Sequence, residues 1–234
     1  MTTVRHLGLV AVLVATAGSA LAQPQAIILT PPAAATTPFE VAGYAYDPRA
    51  TVDPGIAELQ AFIRNTVFVT SATYTGDLVT EAANAGLGDF TGDGLGAGDA
   101  LCNDLARTAG LPGTYKAWLS DSTNSPSTTF VQSSIPYARV DGAVVASSWQ
   151  DLTDGVLQAP IRITESNNFQ FDLVWTGTNT DGTAVTPSNA CGQWSQGGSV
   201  TGLSGFSGDT GRTWTIDSAG HSCGNESNLY CFEQ

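Results

Sequence analysis

The stretch AGDALCNDLARTAGLPGTYKAWLSD, Ala97–Asp121, decides the reading of the fold. In its first half Leu101, Cys102, Leu105 and Ala109 recur at helical spacing, so Ala100–Ala109 is expected as a helix with these residues inward. Asp99 stands at the N-cap position, and Gly110 stands where a helix ends in a left-handed residue. The second half, TYKAWLS, alternates as a strand does.

Upstream lies GDFTGDGLGAGD, Gly88–Asp99. Asp89, Thr91, Asp93 and Gly94 match positions 1, 3, 5 and 6 of a calcium loop of the EF-hand type. Asp89, Asp93 and Asp99 are therefore the candidate metal ligands, with calcium as the candidate ion. The twelfth position, which needs a carboxylate, is Ala100, and Asp99 falls one short. That mismatch favours a turn leading into a helix capped by Asp99.

Further outward, TVFVTSATYTG is β-branched and aromatic, and YARVDGAVVAS reads as a hairpin around Asp141-Gly142. SSWQDLTDG starts like a helix, with Ser147 and Gln150 at capping-box spacing and Gly155 closing it. FQFDLVWTGTNTDGTAV holds a strand and an Asp181-Gly182 turn. Cys191–Ser222 is rich in glycine and serine and reads as loop, and NLYCFEQ is a terminal strand. The sum is an α+β domain with antiparallel sheets, two helices and long loops.

Residues 1–22, MTTVRHLGLVAVLVATAGSALA, have the basic start, apolar run and small-residue end of a secretory signal peptide. Residues 23–64 form a Pro/Ala/Thr-rich arm or linker with a short helix expected at Pro54–Ile63, and residues 65–234 form the domain. Export to the medium or the cell surface follows, with no stretch of transmembrane length. The chain carries 8 basic against 21 acidic residues, a net charge of −13. That balance opposes nucleic acid, anionic membranes and heparin, and favours basic proteins or neutral glycans. Four cysteines in an exported chain read as two disulfides with three possible pairings; zinc is opposed by the absence of CxxC and the scarcity of histidine.

The opening stretch, with VDGAVVASSWQDLTDG, VWTGTNTDGTAV, ACGQW and LYCFE in order, resembles the endostatin domain of collagens and the bacterial endostatin-like domains of unknown function. The resemblance implies a C-type lectin-like fold, with Cys102 paired to Cys231 and Cys191 to Cys223. It also implies adhesion-type recognition of an extracellular protein or glycan. The calcium-dependent sugar site of C-type lectins does not carry over. Thr186-Pro187-Ser188 and Trp214-Thr215-Ile216-Asp217 stand where carbonyl-bearing ligands belong.

Catalytic machinery is not expected. A Ser-His-Asp apparatus would have to use His221, two residues from Cys223, and no GxSxG elbow occurs. Among the tryptophans, Trp118, Trp149 and Trp175 are expected in the core, leaving Trp194 and Trp214 in the loop segment as the candidate ligand-binding pair. The expected function is a non-enzymatic binding or adhesion module using the loops from Asn189 to Ser222. A structural, self-assembling surface component is the alternative, and a hydrolase a distant third.

Overall fold

Five strands, most only three residues long, meet in one mixed sheet, and the chain's last strand lies inside it. The computed structural model describes residues 64–185, 190–217 and 220–234 with their side chains, and the backbone of Ala11–Leu13 (β1) and Ala26–Ile28 (β2). The chain divides into a unit Met1–Pro54 and a unit Gly55–Gln234. In the first, β1 and β2 pair antiparallel. The helix expected at Pro54–Ile63 lies outside the described residues.

In the second unit the strands are β3 (Asn65–Val69), β4 (Tyr115–Ala117), β5 (Tyr137–Arg139), β6 (Val144–Ala146), β7 (Leu173–Trp175), β8 (Thr201–Gly202), β9 (Ser204–Phe206), β10 (His221–Ser222) and β11 (Tyr230–Glu233). The sheet order is β4-β11-β3-β5-β6, while β7 pairs with β9 and β8 with β10. The terminal strand β11 thus runs antiparallel between β3, the domain's first strand, and β4. The expected all-antiparallel arrangement needs one correction: β3 and β5 are parallel. The long excursion between them, through two helices, β4 and a single helical turn, supplies the crossover that a parallel pair requires.

The helices are α1 (Leu78–Asn84), α2 (Gly94–Thr108), and the single turns α3 (Pro126–Thr129) and α4 (Trp149–Leu152). α2 is the helix read from the opening stretch, but it starts earlier. Its N-cap is Asp93, which accepts from the Gly96 amide at 2.8 Å, and not Asp99, which lies inside the helix. Glycine is a poor helix former, yet here it lets α2 pack closely. A Cβ on Gly98 would press on Leu119, and one on Gly94 would overlap the Gln193 carbonyl. In α4 the cap is likewise displaced by one residue, with Ser148 Oγ accepting from the Asp151 amide at 3.3 Å. The hairpin turn is as expected, with Gly142 at φ 90°.

Two apolar clusters fill the domain. One joins α1 and α2 to Phe68, Trp175, Trp194 and both disulfides; the other gathers Trp118, Trp149, Trp214, Tyr230 and Phe232. The disulfides are Cys102–Cys231, tying α2 to β11, and Cys191–Cys223. Both pairings are those implied by the resemblance, and no described cysteine is free.

α2 also closes an edge of the sheet. β4 is the outermost strand, and an open edge invites pairing with another chain. Asn103, one turn along α2 from Asp99, accepts from the Tyr115 amide at 2.8 Å and donates to the Tyr115 carbonyl at 2.7 Å. The Asp99 carboxylate accepts from the Ala117 amide at 2.8 Å. Two side chains at helical spacing thus stand in for a neighbouring strand.

Candidate functional site

The three candidate metal ligands do not converge. Asp89 accepts from the amide and hydroxyl of Thr91 at 2.9 and 2.6 Å, as in an Asx turn. Those hydrogen bonds hold its carboxyl below the ordinary range. Asp93 caps α2, and Asp99 turns to the Ala117 amide. Each carboxylate is engaged by protein donors of its own, and among the described residues no group of three or more His, Cys, Asp or Glu could hold a metal ion.

Asp99 is nonetheless unusual. Burial is the largest effect on it and pushes its pKa up to about 7, outweighing the Ala117 amide and the charge of Lys116, while Asp93 adds to the rise. It sits in a cleft of about 230 Å³ between α2 and β4, beside Asp93, Lys116 and Asn124. The Lys116 ammonium makes its hydrogen bond elsewhere, to the Thr129 carbonyl at 2.9 Å.

Trp194 and Trp214, expected to be exposed, are both 0% accessible. The expected ligand-binding role of this pair is corrected on that ground. The Trp194 indole donates to the Ser120 carbonyl at 2.9 Å, and Trp214 packs against Trp118 and Tyr230 with ring centroids 5.1 and 5.7 Å apart. Glycine is the cause. A Cβ on Gly205 would overlap the Trp214 carbonyl, so the backbone of the glycine-rich segment closes directly over the ring's own residue. Trp194 ends a turn, Cys191–Trp194, in which all four residues have positive φ between 47° and 65°. Three of them are not glycine, a strained conformation held here by the Cys191–Cys223 bridge at one end and the buried indole at the other.

Of the positions that stand where a C-type lectin would place its calcium ligands, Thr215 is fully buried, where it accepts from the Trp118 indole at 2.7 Å. Thr186–Ser188 lie outside the described residues. His221 packs tilted against Trp175, with ring centroids 5.2 Å apart.

The aromatic surface that does meet solvent is one that residue-type reasoning passed over. Phe169 and Phe171 are 59% and 57% exposed. They occupy alternate positions on the hairpin that pairs Ile163 with Phe169, so both rings leave one face. Gln170 between them turns inward, donating to Asn228 at 3.3 Å. The two rings lie nearly parallel, 17° apart with centroids at 6.1 Å. Phe171 stands edge-on to Phe206 of β9 at 4.5 Å, and the Arg162 guanidinium lies 5.0 Å over Phe169. Phe171 is seated against Gly208, where a Cβ would overlap the ring. The result is an ordered stack of Phe206, Phe171, Phe169 and Arg162 on the surface. The alternation in NFQFD, after the Asn167-Asn168 turn, is the sequence signal that could have found it.

Among the described residues no helix is long and apolar enough to cross a membrane. Two disulfides suit an oxidising compartment. Comparison of the chain with protein-family models and with curated proteins gave no match.

Proposed function

We propose that the chain is an exported, non-enzymatic binding module of the endostatin-like, C-type lectin-like kind, which recognises an extracellular protein or glycan. The observation that carries this reading is the exposed Phe169–Phe171 pair. Two adjacent phenylalanines left in water cost apolar burial that a folded chain ordinarily recovers, and they do so on a scaffold that buries its five tryptophans. The adjacent first and last strands, together with the bridge from the long helix to the last strand, support the C-type lectin-like reading. The recognition region is the face formed by the Ile163–Phe171 hairpin and β9. The latter belongs to the segment from Asn189 to Ser222 first read as the binding loops.

The test is to present the full chain, after removal of residues 1–22, to immobilised matrix proteins and neutral glycans, first with calcium and then with chelator. Saturable binding that survives chelation is expected. Failure to bind any of them, or a hydrolytic turnover abolished by changing one carboxylate, would sink the reading.

A further inference from the structure

We propose that the Phe206–Phe171–Phe169–Arg162 stack is a docking surface for a basic protein segment that presents arginine or lysine side chains to the exposed parts of the Phe169 and Phe171 rings. This rests on the binding-module reading and names its partner class. Three observations carry it.

The rings are ordered before any partner arrives. Phe171 is fixed between Gly208 and the edge of Phe206, and Phe169 lies against it. A preformed aromatic surface spares the partner the entropy of ordering it. The stack also already accepts a guanidinium, since Arg162 lies 5.0 Å over the face of Phe169. The negative ring face attracts cations, arginine above all, so the chemistry proposed for the partner is one this surface already makes within the chain.

The third observation is charge. A chain of net charge −13 draws basic segments and repels acidic ones. The exposed Asp172 follows Phe171 directly, and its Oδ1 accepts only from the adjoining Leu173 amide at 2.8 Å among the hydrogen bonds described. It adds an exposed negative charge next in sequence to the stack. A glycan fits less well. Phenylalanine has no hydrogen-bonding group to offer sugar hydroxyls, and the neighbouring Gln170 amide is turned inward to Asn228.

The experiment uses the full chain and three short peptides of equal length: one alternating arginine with glycine, one with lysine in place of arginine, and one with uncharged citrulline. Binding is compared for the wild type, F169S/F171S and G208A. The double substitution leaves net charge untouched and changes two mostly exposed side chains, so its melting temperature should fall only slightly. Expected is binding in the order arginine, lysine, citrulline, at least tenfold weaker for F169S/F171S and intermediate for G208A, which unseats Phe171 without removing it. Equal affinity of wild type and F169S/F171S for the arginine peptide would show attraction by net charge alone and overturn the proposal. So would self-association of the wild type that F169S/F171S abolishes, since the occupant would then be a second copy. If a matrix protein binds the wild type and F169S/F171S alike, the docking surface is wrong while the binding-module reading stands; if none binds the wild type, that reading itself fails.

Discussion

The sheet half of the domain and the segment from Cys191 to Cys223 both bury tryptophans, but for different reasons. In the first, side chains at strand and helix spacing fill the space between β3, β11 and α2, and Cys102–Cys231 fastens the domain's two ends. In the second, regular structure is limited to strands of two or three residues (β8, β9 and β10) and single helical turns. Burial comes from absent side chains: glycines let backbone lie against Trp194, Trp214 and the Cys191 sulfur, and one short-range bridge holds the fold. An irregular segment, then, is not automatically a surface, and a tryptophan within it is not automatically a ligand contact.

The largest effect should come from breaking the first region's tie. The residues bridged by Cys102–Cys231 are 129 apart in sequence. C102A/C231A is expected to lose about 5 kcal/mol by the loop-entropy relation, seen as a lower urea midpoint for all probes together. Cys191–Cys223 spans 32 residues, and C191A/C223A should lose slightly less, about 4 kcal/mol. If the contrast holds, amide exchange should quicken in residues 190–217 well before it does in β3 and β11. Uniform loss across both regions would mean they unfold as one.

Next in size is the glycine that closes the second region. Gly205→Ala puts a methyl group into the Trp214 carbonyl, and neither backbone segment can yield easily. A loss of about 3 kcal/mol is expected, the upper end of overpacking costs. A glycine such as Gly211, with open space at its Cβ position, should tolerate alanine without measurable change.

The smallest predicted effect is pH-dependent and belongs to the sheet half. The carboxyl of Asp99 has its pKa raised from 3.8 to about 7 in the folded chain. Folding therefore favours its protonated form. The stability this contributes is complete below about pH 4 and is lost as pH rises through 7. Asp99→Asn keeps an oxygen for the Ala117 amide and carries no charge. It should match the wild type at pH 4 and exceed it by about 2 kcal/mol at pH 8, a value reduced from the full shift because the group is partly exposed. A variant weaker than wild type at pH 8 would contradict the burial of that carboxylate.

The two regions also differ in how far sequence could reveal them. The long helix, the Asp141-Gly142 and Asp181-Gly182 turns and the terminal strand were legible, because each depends on local period or turn chemistry. The start of the helix was not. Propensity argues against GLGAGD as helix, and only the close approach of Leu119 and Gln193 to Gly98 and Gly94 reveals why it is one. The burial of Trp194 and Trp214 was illegible for the same reason, since glycine content marks loops but does not say what lies against them. Phe169 and Phe171 were hidden differently: alternation shows that they share a face, but only the fold shows that this face meets water.

The account turns on the tryptophans of that second region being core, with recognition placed on the phenylalanine stack. Tryptophan fluorescence tests this most directly, because all five tryptophans are buried and two of them, Trp194 and Trp214, belong to the irregular segment. The folded chain should emit at short wavelength, with its whole emission shielded from iodide, and F169S/F171S should leave the spectrum unchanged. A red-shifted fraction quenched by iodide in the wild type, and lost on replacing Trp194 or Trp214, would contradict the account and return the binding surface to the loop tryptophans.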